Sequence, residues 1–276
     1  MHTHFIFLFL LLLAISSFPL LADNFRLRVH TQTLSLLTEE DIHAEIHFGK
    51  TVAARLLGQY PPYDNKALTR YVNLVGQALV LNSPRQDITF HFSIVNSNTI
   101  NAYSTPGGYV FITTQAIKTM QDESELAAVL AHEIAHITEK HIVNEFKIKG
   151  KDDSITSGIT RIVGGSKDSA TVAFQNAVDK AVDLLLSRGF KHDDELGSDQ
   201  VAVTLLAQTG YDTMALERYL RRVIKATEED DRKKSNTHPT TDLRLDTLNE
   251  YQKSSDLILH FPQGKKRFQA ITSNNL

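Results

Sequence analysis

The stretch from Asp122 to Thr138 constrains this chain more than any other. Leu126, Val129, Leu130, Ile134 and Ile137 recur at the three- and four-residue spacing of an α-helix. Between them stand Ala127, Ala128, Ala131 and Ala135, small residues that let neighbouring elements approach closely, as a buried central helix requires. Asp122 followed by Glu125 resembles a capping box with Asp in the cap position. The segment therefore predicts a helix at the centre of the fold, around which the rest must pack.

Polar residues inside such a helix need a reason, because an unpaired polar group in a core is costly. His132, Glu133 and His136 form an H-E-x-x-H pattern there. Residues four apart on a helix lie one above the other, so both imidazoles project from one face and can each offer a nitrogen to a single zinc ion. Glu133 falls beside that face, where a carboxylate can act as general base on water and return the proton to a leaving amine.

Two nitrogens leave a catalytic zinc site incomplete, since such sites usually have three protein ligands and an open position. A third histidine in the longer H-E-x-x-H-x-x-G-x-x-H pattern would fall at Ile142, which excludes that class. His141 is one residue out of that register and is expected to point elsewhere. The better candidate is Glu195, which shares a helical face with Asp199 four residues later. Glu195 is expected to bind the ion and Asp199 to accept the N–H of a ligating imidazole.

The surrounding sequence predicts an α+β fold, mainly helical, with a small sheet or hairpin beside the central helix. Helical spacing is found at 41–57, 66–81, 171–186, 194–207, 213–226 and 242–251. Residues 88–94 alternate apolar and polar as a half-buried strand does. Two further strand-like stretches, 100–104 and 109–113, flank Thr105, Pro106, Gly107 and Gly108 and read as a hairpin. The glycine- and serine-rich residues 154–169 read as a loop or lid, and the charged run 228–234 as a solvated linker.

Bulk properties narrow the function. A net charge of -3 with scattered basic residues gives no field that favours nucleic acid. The chain has no cysteine, which excludes disulfides, thiol catalysis and thiolate ligands, so any metal must rest on nitrogen and oxygen. Gly49, Lys50 and Thr51 look like the end of a phosphate loop, but Ala44 occupies the place of its first glycine. Residues 1–22, with an apolar run from Phe5 to Ile15, read as a signal peptide, and an uncleaved N-terminal anchor is the alternative. The expected organisation is a leader at 1–22, a zinc metallopeptidase domain at 39–260 and a C-terminal tail at 261–276.

Four ordered motifs carry a family resemblance. They are Asn101-Ala102-Tyr103 with Pro106-Gly107-Gly108-Tyr109-Val110, the run from Glu125 to His136, the run from Glu195 to Asp199, and Thr237-His238-Pro239 with Arg244. In these the sequence resembles the HtpX and CAAX prenyl protease superfamily of gluzincin metallopeptidases. Within it, the likeness is to the soluble exported bacterial branch, without the tetratricopeptide extension some members carry. Ser198 departs from the family, which usually shows alanine before the aspartate.

The resemblance implies one zinc ion on His132, His136 and Glu195, catalysis by Glu133, and support from Asp199. It also implies that His238 turns toward the metal, to stabilise the oxyanion or to plug the open position, and that Arg244 pairs with an acid near the site. Asn101 and Ala102 are expected to bind substrate by presenting a strand edge to an extended chain. The expected substrates are unfolded or misassembled envelope proteins, met in the periplasm, with possible peripheral membrane association. A chaperone-like polypeptide binder with a closed zinc site is the alternative, and action on another amide is a third reading.

Overall fold

The computed structural model describes residues 38–150, 167–230 and 242–276. The expected signal peptide, His238 and most of the 154–169 loop lie outside these residues. Along the chain run α1 (Glu39–Gln59), α2 (Lys66–Val80), β1 (His91–Val95), β2 (Ala102–Thr105), β3 (Tyr109–Thr113), α3 (Thr114–Thr119), α4 (Glu123–Thr138) and α5 (His141–Phe146). Then follow α6 (Lys167–Asp183), continued by a π-helical turn at Leu184–Arg188, α7 (His192–Thr209), α8 (Ala215–Glu229), α9 (Asp242–Ser254) and α10 (Lys265–Thr272). The fold is α+β and mainly helical, as the periodicities predict. Among the described residues no helix is long and apolar enough to cross a membrane.

The three strands lie in the order β1-β3-β2, with β1 parallel and β2 antiparallel to β3. Side-chain alternation sends Phe92, Ile94, Ala102, Val110 and Ile112 into the main core with α2, α4, α7 and α8. Val95, Tyr103 and Phe111 enter a second cluster with α1 and α6 on the opposite face. Both faces are thus covered, which is why β2 and β3 are buried almost throughout. The ladder opens at His91, whose N–H donates to the Gly108 carbonyl at 2.8 Å. Residues 88–90 keep their alternation but not the ladder, for the Phe90 carbonyl accepts from the Gln77 side chain at 2.9 Å.

The hairpin turn needs its glycines, since Gly107 and Gly108 have φ of +74° and +97°. It packs so tightly on α1 that a Cβ at Gly49 would stand 1.7 Å from the Pro106 carbonyl oxygen. Gly49 thus serves close packing and has no part in a phosphate loop. Gly49→Ala is expected to cost at least about 1–3 kcal/mol through overpacking, read as a lowered denaturant midpoint with the slope unchanged.

Every residue of α4 is buried. Asp122 caps it by accepting the Glu125 N–H at 3.0 Å, while the Glu125 carboxylate reaches back to the Gln121 N–H, one residue before the cap, at 2.8 Å. At the other end the buried Arg85 donates to the Ile137 carbonyl at 3.2 Å and pairs with Glu45 and Asp87. Glu45 also accepts the Gly107 N–H at 3.2 Å, so one guanidinium ties α1, the hairpin turn and the end of α4 together. Residues 261–276, expected as a tail, instead contribute α10 to the same core. There Phe268 is buried and Arg267 pairs with Glu123 at the start of α4.

Candidate metal centre

Packing of α4 against α7 brings the predicted residues together. His132 and His136 lie one turn apart on α4, with their Nε2 atoms 3.1 Å from each other. Glu195, in the first turn of α7, places Oε2 at 3.5 Å from His132 Nε2 and Oε1 at 3.5 Å from His136 Nε2. Donor atoms held at about 2.0–2.2 Å by one tetrahedral ion stand about 3.3 Å apart, so the observed spacing suits such an ion. All three side chains are buried, as is Glu133. Two imidazoles and a carboxylate form a nitrogen and oxygen donor set of the kind found in catalytic zinc sites.

The supporting contacts run through Asp199 and Arg244. Asp199 Oδ1 stands 2.9 Å from His132 Nδ1, on the side of the ring away from Glu195. Arg244 on α9 grips Asp199 with two donors, Nε to Oδ2 at 2.9 Å and Nη2 to Oδ1 at 2.7 Å. Its third nitrogen, Nη1, lies 3.0 Å from Glu195 Oε2. One fully buried guanidinium therefore orients the two buried acids of α7, Glu195 and Asp199, and these are the partners that the sequence leaves unnamed.

Electrostatics follow from this packing. Burial alone would raise the Asp199 pKa, but Arg244 and His132 outweigh it and hold the carboxyl below its usual range. Burial disfavours a charged Arg244, yet Asp199 and Glu195 keep it protonated well above its ordinary range. For His132 burial lowers the pKa, while Asp199 and Glu195 more than reverse this and raise it to about 9. Three carboxyl groups, Glu133, Glu195 and Asp199, face one guanidinium. The same excess of acid that raises the His132 pKa favours positive charge at this position.

His136 is held differently. Its Nδ1 lies 2.8 Å from the Nδ1 of His141, and the ring of Phe190 stacks on it at 4.0 Å between centroids and 18° between planes. His141 was expected to point elsewhere because a continuous helix carries it out of register. The helix does not continue, since α4 ends at Thr138 and Lys140 takes a left-handed φ of 58°. Phe190 arrives from the π-helical turn through Gly189, whose φ is +74°. Nothing in helical periodicity announces either contact.

The strand edge is less open than expected. Asn101 accepts the Thr113 N–H through its carbonyl at 3.1 Å, so the backbone groups of Ala102 face the unpaired side of β2. There the Ala102 N–H donates to Asn101 Oδ1 at 2.9 Å, which leaves that donor capped by its own neighbour. A small recess between β2 and α5 is lined in part by Ser104, Thr105, His136 and Ile142. The end of β2 and one of the two histidines, His136, thus share a recess.

Residues 65–252, more than half of the chain, match peptidase family M48. The chain belongs to that family. It is 26% identical over 210 residues to the beta-barrel assembly-enhancing protease of Escherichia coli (strain K12), covering 74% of this chain and 43% of that protein. The protein of the same name from Yersinia pestis is 27% identical over 210 residues, with the same coverage. The mitochondrial metalloendopeptidase OMA1 of Schizosaccharomyces pombe is 26% identical over 203 residues, covering 71% of this chain and 55% of that one. The chain thus spans less than half the length of the bacterial relatives it matches. Membership of M48 accords with the resemblance drawn from the four motifs.

Proposed function

We propose that this protein is a zinc-dependent metalloendopeptidase that hydrolyses peptide bonds in unfolded or misassembled envelope proteins. The observation that carries this reading is the convergence of His132 Nε2, His136 Nε2 and the Glu195 carboxylate, within 4.8 Å of one another, beside the buried Glu133. His132, His136 and Glu195 would hold one zinc ion, with Asp199 and Arg244 orienting them. When bound, that ion supplies Lewis acidity and lowers the pKa of water. Glu133 accepts the proton of the attacking water on its carboxylate and delivers it to the leaving amine.

The backbone of an extended substrate pairs with the open side of β2, where Asn101 must first release the Ala102 N–H. Main-chain pairing of this kind tolerates many sequences and requires an unfolded segment. His238 is retained as the group that steadies the oxyanion or closes the open position. Export through the 1–22 leader to the periplasm fits the bacterial relatives, whose name refers to β-barrel assembly, a process of outer-membrane proteins.

The test is cleavage of a reduced, unfolded polypeptide before and after metal removal. Chelation is expected to abolish cleavage, and stoichiometric zinc to restore it. Suppression of aggregation without cleavage by the zinc-loaded protein would favour the binder reading instead.

A further inference from the structure

His132 and His136 belong to the same helix and face the same carboxylate, yet their outer nitrogens meet different partners. His132 Nδ1 has a carboxylate oxygen at 2.9 Å. His136 Nδ1 has another imidazole, His141, at 2.8 Å. We infer that His141 is a positioning residue that accepts the Nδ1–H of His136 and so aims the Nε2 lone pair of His136 at the metal position. The inference rests on the metal site proposed above.

The proton assignment is forced once His136 serves as a ligand through Nε2. A neutral ligating imidazole carries its proton on the other nitrogen, so His136 is the donor and His141 Nδ1 the acceptor. The remaining proton of His141 then resides on Nε2, which faces Asp194 Oδ1 at 3.6 Å. Phe190 lies flat on His136, and its ring stands tilted beside that of His141 with centroids 5.9 Å apart, limiting rotation of both. Lys140 in its left-handed conformation makes this possible, because it turns the chain back so that α5 begins with His141 against α4.

The asymmetry has a consequence for binding. A carboxylate behind His132 makes that ring a stronger donor, whereas the neutral partner behind His136 contributes orientation with little added charge. The loss of His141 should therefore weaken metal retention through misorientation of one ligand. Any side chain that offers an acceptor at the same place should restore it.

The experiment compares zinc dissociation constants of wild type, His141→Leu and His141→Asn by competition with a chromogenic chelator at fixed pH. His141→Leu is expected to bind zinc about 10- to 100-fold more weakly. His141→Asn, whose Oδ1 can accept the same proton, is expected to recover most of that loss. Equal weakening in both variants, or wild-type affinity in His141→Leu, would overturn the inference. If His141→Leu does not fold, ¹⁵N NMR of the histidine rings in zinc-loaded wild type decides. The expectation is a protonated Nδ1 on His136 and a bare Nδ1 on His141, and the reverse pattern overturns it. Wild type that takes up no zinc would sink the metal site itself, an outcome distinct from a site that binds equally well without His141.

Discussion

Replacing Glu133 with glutamine is expected to lower cleavage of an unfolded polypeptide by about 10²- to 10⁴-fold, the usual contribution of a general base. Zinc content and unfolding midpoint should stay at wild-type values. The two side chains have nearly the same shape, so the packing of α4, in which residue 133 is buried, is preserved. What is lost is the capacity to take a proton. Retained activity in a correctly folded, metal-loaded Glu133→Gln protein would remove Glu133 from the mechanism. Loss of zinc together with activity would give it a structural role instead.

The second large effect concerns Arg244. Arg244→Met keeps much of the aliphatic volume but removes the charge that faces two buried carboxylates. Breaking a buried ion pair from one side typically costs about 3–5 kcal/mol, because the partner charge is left uncompensated. Here Asp199 and Glu195 both lose the guanidinium, which stands 2.7 and 3.0 Å from them. The sign of the pH dependence follows from Asp199. Its pKa is depressed in the folded state, so its stabilising contribution is present above the ordinary carboxylate range and is lost as pH falls through the folded value. Arg244→Met should weaken that acid-side loss, since the depression arises chiefly from Arg244. A variant with wild-type stability and the wild-type acid profile would show that the guanidinium has no such role.

Much of the architecture is legible in the sequence because its elements are strongly periodic. The spacing of Leu126, Val129, Leu130, Ile134 and Ile137 gives α4, and Asn101 to Thr113 with its Pro-Gly-Gly turn gives the hairpin. The four-residue spacing of Glu195 and Asp199 places both on the face of α7 that meets the histidines. Each of these depends on local geometry that repeats along the chain. The contacts that remain hidden depend on interruptions or on distant segments.

His141 reaches His136 only because Lys140 adopts a left-handed turn, and Phe190 does so only because a π-helical turn precedes Gly189. Arg244 meets Asp199 across 45 positions of sequence, a distance over which spacing carries no information. The segment Lys265–Thr272 is read as part of a tail, for it is short and opens on Lys265, Lys266 and Arg267. Its place in the core is decided by Phe268 and Ile271, a pair too short to announce a buried helix, and by the distant pairing of Arg267 with Glu123. Residues 88–90 show the converse case, with strand-like alternation in a segment whose Phe90 carbonyl is taken by a helix side chain.

The most direct measurement is metal content by mass spectrometry after purification under zinc-replete conditions, on wild type and on Glu195→Ala. One zinc per wild-type chain is expected, with a large fall in retained zinc when the carboxylate from α7 is removed. A wild-type protein without bound metal, or a Glu195→Ala protein that retains zinc as tightly as wild type, would contradict it.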